Sequence, residues 1–197
     1  MILPYRTMKI SCGHHSGFKS DIIGRKILNI HFIIEEVIME HAVWTLAEDV
    51  RKDTLGILES IPEDLWDVVP EGFNNSVRWN AGHILMDQYL WFYHKIEDEM
   101  PLQGIEAFFA YGTSPKSWDA MQQPPSREEI LAFLKEQIPF LKETFQYRLD
   151  EPLLAESESG IKTIGDVISR TLYHEGLHAG ALIAMRRHIL EGQQLHT

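Results

Sequence analysis

Cysteine is nearly absent from this sequence, and its scarcity excludes several kinds of site. Of the 197 residues, only Cys12 is a cysteine, so the chain has neither a disulfide framework nor a cysteine-rich metal site. A protein without disulfides suits a reducing compartment, and we therefore expect a cytoplasmic location. Thiol chemistry in the part of the chain after Cys12 would need a thiol from outside the protein.

Positive charge and long apolar runs are also scarce. The 18 Lys and Arg residues face 29 Asp and Glu residues, which gives a formal net charge of -11 and no basic surface typical of nucleic-acid or anionic-membrane binding. The most apolar N-terminal stretch, residues 22–34, is interrupted by Arg25, Lys26, Asn29 and His31, so it cannot span a bilayer. We therefore expect a small-molecule substrate and no nucleic-acid or membrane partner.

Residues 1–38 differ in composition from residues 39–197. They hold five Lys or Arg, three Asp or Glu, three histidines and the only cysteine. One interpretation is an authentic N-terminal extension with an additional helix over residues 21–38. The other is that Met39 is the native start, because Glu35, Glu36 and Val37 can be encoded by a purine-rich run that resembles a bacterial ribosome-binding sequence. The predicted domain covers residues 39–197.

From residue 39 onward, apolar residues recur at helical spacing. The pattern predicts a first helix that ends before Pro62 and a second over residues 76–97. It then predicts a third that opens at Ser126 with a capping-box partner at Glu129, and a fourth that opens near Thr163. The stripes of the first and third helices are Val43, Leu46, Val50, Thr54, Ile57 and Ile61, and Ile130, Leu134, Ile138, Leu141, Phe145 and Leu149.

The segment between the second and third helices is rich in proline and glycine. Residues 98–125 include Pro101, Gly104, Gly112 and Pro115, which favour turns over long helices. We interpret this segment as a long crossover, and we find no convincing set of strands. The sequence thus predicts an all-α four-helix bundle in which Pro139 should kink the third long helix.

Three histidines are placed to bind one metal ion. His174 and His178 are four residues apart on a predicted helix, so both imidazoles project from the same face. His83 lies on the predicted core face of the second helix. Three neutral imidazoles in one bundle interior would leave polar atoms unsatisfied, and a cation resolves this. Imidazole ligands suit zinc, nickel, iron or copper better than magnesium or calcium.

The remaining candidates have simpler interpretations. His94, His188 and His196 fit partly exposed helix or tail positions, and His41 lies near the alternative chain start. Asp87 follows His83 by four residues and has the right spacing to support a metal ligand, but solvation or a salt bridge is the more frequent fate of such a carboxylate.

The segment 78–83, Arg-Trp-Asn-Ala-Gly-His, together with the H-x-x-x-H pair His174 and His178, resembles the DinB-like superfamily, also described as DinB/YfiT-like metalloenzymes. The resemblance covers residues 39 to about 190. It implies that His83, His174 and His178 bind a divalent metal, with zinc or nickel first and iron or another metal as alternatives. Gly180 also matches the family pattern, whereas Ala181 replaces a common glutamine.

The resemblance further implies an up-down-down-up bundle, frequently a homodimer. Characterised members of the family include transferases and isomerases that use low-molecular-weight thiols such as bacillithiol. We therefore expect a metal-dependent enzyme, a thiol-dependent transferase or isomerase or a hydrolase, whose substrate is unknown.

Two alternatives to that function stay open. The run from His174 to His178 matches the H-E-x-x-H pattern of zinc proteases, with Glu175 as the candidate catalytic base. A metzincin continuation would need a glycine where Ala181 stands and a third histidine where Ala184 stands. No strand-rich edge precedes the motif either, so the protease is the weaker alternative. The stronger one is a non-catalytic interaction module in which the metal mainly ties two helices together.

Overall fold

The computed structural model describes residues 41–96, 100–118, 123–154 and 160–194. Residues 41–59 are helical and are called α1 here. The other helices are α2 (Val77–Ile96), the short α3 (Glu106–Phe109), α4 (Arg127–Phe145) and α5 (Ile164–Gln194), with 3-10 turns at Glu63–Leu65 and Pro115–Ser117. No strand occurs in the described ranges, so the all-α prediction is confirmed, whereas the up-down-down-up order stays a prediction.

The buried face of α1 includes Thr54, as the apolar pattern predicted, but at most other positions it lies one residue further along the chain. Its fully buried positions recur at three- and four-residue steps, and Leu46 is exposed. A large aromatic and a hydrogen-bonded cation occupy the face that the sequence pattern assigned to smaller aliphatic residues. These buried positions are Trp44, Ala47, Arg51, Thr54 and Leu58.

Helix α2 is the central helix of the described fold. Every residue from 79 to 89 is buried, and the helix packs against α3, α4 and α5. A helix that is surrounded by protein must be apolar on most of its circumference, or must satisfy its polar groups internally. The polar residues of α2, among them Asn80, His83 and Asp87, are consequently held by specific contacts.

Reciprocal caps fix where α4 and α5 begin. The Glu129 backbone N–H donates to Ser126 Oγ, and the Ser126 N–H donates to the Glu129 carboxylate. The same arrangement joins Thr163 and Asp166. Both predicted helix starts are therefore confirmed, and the caps satisfy N–H groups that would otherwise lack partners.

Helix α4 ends earlier than its apolar stripe suggested. It stops at Phe145, and Leu149, which the pattern included in the helix, lies in the following turn although it is buried. The Leu149 carbonyl accepts a hydrogen bond from the Gly165 N–H at 2.8 Å, so this turn packs against the start of α5. Pro139 lies inside α4, and the predicted kink stays a prediction.

None of the described helices is both long enough and apolar enough to cross a membrane. The described residues belong to a structural unit that begins at Glu40. The predicted extension, residues 1–38, lies outside the described residues, and the hypothesis about Met39 stays a prediction.

Candidate metal centre

Helices α2 and α5 bring the three predicted ligands together. His83 projects from α2, and His174 and His178 project from α5; one ring nitrogen from each lies within 4.8 Å of the other two. The ring centroids are 4.6 to 5.1 Å apart. His83 is buried, and the other two rings are half-buried. Among the described residues, this is the group that could hold a metal ion.

The Nδ1 atom of His83 faces a main-chain acceptor. It lies 2.6 Å from the carbonyl oxygen of Phe109, at the end of α3. Because a carbonyl oxygen only accepts hydrogen bonds, Nδ1 must carry the proton. The lone pair of neutral His83 is therefore on Nε2.

The Nδ1 atom of His178 faces the side-chain amide of Asn80. The amide Nδ2 donates to the Ser76 carbonyl at 2.8 Å, which fixes the amide orientation. Its Oδ1 therefore points at His178 and lies 2.8 Å from Nδ1. An amide oxygen only accepts, so His178 also carries its proton on Nδ1 and its lone pair on Nε2.

The Nδ1 atom of His174 faces a carboxylate, that of Asp87. Asp87 Oδ2 lies 2.9 Å from His174 Nδ1, within ion-pair distance, and this buried oxygen has no hydrogen-bond partner among the described residues. An anion at this distance favours the tautomer with the proton on Nδ1. Asp87 is thus the supporting carboxylate that its spacing from His83 allowed, although its contact is with His174.

The three Nε2 lone pairs consequently point into one shared space. His174 Nε2 and His178 Nε2 are 3.2 Å apart, so they repel each other unless a proton or another cation lies between them. Burial lowers the pKa of His83. Burial, together with the neighbouring His174 and His83, lowers the pKa of His178 to about 4. At neutral pH a metal ion is the better cation for this space, and the donor set fits one.

Aromatic side chains cover one side of the triad. The Trp79 ring stacks on His83 with centroids 4.6 Å apart and planes 13° apart. Its Nε1–H donates to Thr113 Oγ1 at 2.9 Å, which joins α2 to the crossover. Trp79 therefore covers one side of the centre and connects it to the crossover.

Glu175 follows His174 directly but contacts a different partner. Its two carboxylate oxygens accept from Arg51, from Nε at 2.8 Å and from Nη2 at 3.0 Å. Both side chains are buried. Both oxygens of the carboxylate are thus engaged by Arg51, and the catalytic role of Glu175 stays a prediction.

The other histidines do not join the centre in the described residues. His41 and His188 are exposed, and His188 has an edge contact with Phe73. The side chain of His94, and all of His196, lie outside what the structure describes.

Two supporting groups were not identified from the sequence. Asn80 belongs to the segment 78–83, and its position three residues before His83, on a predicted helix, was the available signal. The Phe109 acceptor is a main-chain carbonyl, which any residue type provides, so no sequence pattern marks it. Asp87 was considered and set aside in favour of more common roles.

Comparison with known proteins agrees with this geometry. A sequence profile of the DinB superfamily matches residues 46–182, which include all three histidines and their supporting side chains. A search of curated proteins finds no match. The matched region covers more than half of the chain, and the protein therefore belongs to the DinB superfamily.

Proposed function

We propose that this protein is a metal-dependent enzyme of the thiol-dependent transferase or isomerase type, with hydrolysis as the alternative reaction. The observation that supports this most is the convergence of three Nε2 atoms whose Nδ1 atoms each face an acceptor. Zinc takes four ligands in structural sites, whereas catalytic sites combine three protein ligands with an exchangeable fourth. The described residues supply three.

The chain's own residues would hold and orient the ion. His83, His174 and His178 would bind it, and Asn80, Asp87 and the Phe109 carbonyl would keep each Nε2 free for coordination. A bound divalent metal would supply Lewis acidity, which lowers the pKa of a thiol or water. Trp79, stacked on His83, would exclude water from one side of the ligands.

The thiol would come from a small molecule. Residues 39–197 contain no cysteine, so a low-molecular-weight thiol such as bacillithiol is the proposed cosubstrate. Such thiols are kept reduced in the cytoplasm, which is the proposed location. A homodimer and an electrophilic small-molecule substrate complete the proposal.

The first test compares ligand and control variants. Metal content and rate should be measured for the parent, His174→Ala and His188→Ala, each with several thiols and several classes of electrophile. We expect the parent and His188→Ala to show metal-dependent and thiol-dependent acceleration, and His174→Ala to lose both metal and rate. Verified metal loading without acceleration in any combination would contradict the enzyme proposal.

A non-catalytic role for the metal is the second candidate. It is favoured by one observation, which is that the triad joins α2 to α5 and would stabilise their packing. Relaxation measurements on protein loaded with a paramagnetic divalent metal distinguish the two. An exchangeable water on the ion supports the enzyme, whereas a closed shell of four protein ligands supports the structural role.

Glu175→Gln tests the catalytic base separately. If the carboxylate moves protons, the variant keeps its metal but loses rate and the corresponding limb of the pH–rate profile. If Glu175 acts only through Arg51, the variant loses stability and keeps the pH profile. The same variant also tests the zinc-protease alternative, which requires Glu175 as the base.

A further inference from the structure

The ring of Phe109 is seated directly on Gly82, the residue before the metal ligand His83. Phe109 is fully buried. A Cβ atom added at Gly82 would lie 2.5 Å from three carbon atoms of that ring, closer than real Cβ contacts allow. The absence of a side chain at position 82 is therefore what lets the crossover approach α2 at this turn.

The same residue contacts the neighbouring ligand through its main chain. The Phe109 carbonyl oxygen lies 2.6 Å from His83 Nδ1. The ring and the carbonyl belong to one residue, so a main-chain shift that relieves a clash at the ring also moves the carbonyl. Packing at Gly82 and hydrogen bonding at His83 are thus mechanically coupled.

Other contacts keep this part of the crossover on α2. Trp79 donates to Thr113, and Thr113 Oγ1 in turn donates to the Ala110 carbonyl at 2.8 Å. Trp118 Nε1 donates to the Phe108 carbonyl at 3.0 Å. Hydrogen bonds therefore hold the main chain on both sides of Phe109, at Phe108 and at Ala110.

We propose that Phe109, seated on Gly82, is a positioning residue of the metal centre that selects Nε2 of His83 as the ligand atom. The nitrogen of a histidine that binds metal is set by the hydrogen bond that the other nitrogen makes. Without the carbonyl, His83 is free to hold its proton on Nε2. That tautomer has no lone pair on Nε2, so metal binding must first move the proton to Nδ1, and this weakens the affinity.

This inference rests on the metal-binding part of the proposed function and not on its thiol chemistry. It is therefore tested by metal binding alone. The test uses the full-length protein and zinc, with a competing chromophoric chelator to measure affinity. No thiol or electrophile is present, so the measured zinc affinity does not depend on whether the protein catalyses a reaction.

The main variant is Gly82→Ala, and Gly176→Ala is its matched control. Gly176 lies in α5 between His174 and His178, and a Cβ there would meet nothing within 4 Å. Both substitutions raise helix propensity equally, so the difference between them isolates the clash with Phe109. We expect Gly82→Ala to weaken zinc binding about 10- to 100-fold, as removal of supporting contacts does. Gly176→Ala should bind zinc like the parent.

The tautomer of His83 provides a readout that a general loss of stability does not move. Two-bond proton–nitrogen spectra of metal-free protein with labelled histidine show which ring nitrogen carries the proton. In the parent we expect His83 to carry it on Nδ1. In Gly82→Ala, Nε2 protonation should increase at His83, while His178, held by Asn80, keeps its proton on Nδ1.

Relief of the clash should restore binding. In Gly82→Ala/Phe109→Ala the smaller side chain makes room for the added methyl group and keeps a carbonyl at position 109. We expect this double variant to bind zinc more tightly than the product of the two single effects. Additive losses, or parent-like affinity and tautomer in folded Gly82→Ala, would overturn the proposal.

Phe109→Leu keeps the proposal testable if Gly82→Ala does not fold. Leucine fills less of the space above Gly82, so residue 109 packs less tightly against this glycine and no clash is added. We expect weaker zinc binding and a mixture of His83 tautomers. A Phe109→Leu protein with the zinc affinity and the His83 tautomer of the parent would show that packing of residue 109 on Gly82 does not position His83.

Discussion

Replacement of Arg51 by methionine should destabilise the protein more than any exposed charge substitution. Its guanidinium joins α1 to three other helices, with bonds to Glu175 in α5, Gln88 in α2, and Gln137 and the Leu134 carbonyl in α4. The Arg51 and Glu175 side chains are 4% and 2% exposed. Solvent therefore cannot replace the lost partner when one of them is removed.

The expected cost follows from this burial. Arg51→Met leaves the Glu175 carboxylate in the interior without its cation, and breaking a buried pair from one side costs about 3–5 kcal/mol. That is a large part of a typical unfolding free energy of about 5–15 kcal/mol. Arg51→Met/Glu175→Leu removes both charges, so its loss should be smaller than the sum of the single losses by about 2 kcal/mol.

Urea denaturation of chelator-treated protein measures these effects, because bound metal would add its own stabilisation. Lys135→Met is the matched control. It breaks the Lys135–Glu59 pair, whose side chains are 54% and 48% exposed, and should cost at most about 1 kcal/mol. If Arg51→Met costs no more than Lys135→Met, or if the double variant is additive, the buried network does not stabilise the fold as argued.

Three further predictions address pH, metal affinity and helix capping. The pKa of His178 is lowered to about 4 in the folded protein. Below the ordinary histidine pKa of about 6.5, the unfolded chain therefore binds more protons than the folded protein. Metal-free stability should fall by about 2 kcal/mol from pH 7 to pH 5, and urea titrations of parent and His178→Ala at both values should show a smaller fall in the variant. Asn80→Ala should weaken zinc binding about 10- to 100-fold in chelator competition, and Asn80→Asp, which keeps an acceptor for His178, should lose less affinity. An Asn80→Ala protein with the zinc affinity of the parent would exclude a supporting role for Asn80. Ser126→Ala should cost about 1 kcal/mol in urea unfolding with zinc affinity unchanged, and Ser126→Asp should restore the cap; no loss would mean that the cap adds nothing.

Local signals explain which parts of the fold were predictable. The starts of α4 and α5 follow from Ser126 with Glu129 and from Thr163 with Asp166, because a cap depends on residues within one turn. The buried face of α1 was predicted at Thr54 but not at Arg51, which is buried by contacts with three distant helices. Such a contact is a property of the tertiary structure, and apolar periodicity does not record it.

The candidate site was predictable for its side-chain ligands and less so for their supports. Two histidines at helical spacing specify a shared face. The position of His83 on the predicted core face of the second helix, together with the resemblance of the segment 78–83, added the third ligand. The Phe109 carbonyl has no residue-specific signal, and Asp87 was uncertain because surface carboxylates are common. Glu175 matched a motif, but its buried pairing with Arg51 depends on a residue more than a hundred positions earlier.

The division of the centre between α2 and α5 has a consequence for the order of folding. Asn80 and His178 are 98 residues apart in the chain, so closing this contact is entropically costly until the intervening helices are in place. A growing chain that has exposed only α2 offers one imidazole of the triad. The complete coordination set forms when α5 docks, so metal capture is expected late in folding and its occupancy marks a finished tertiary structure.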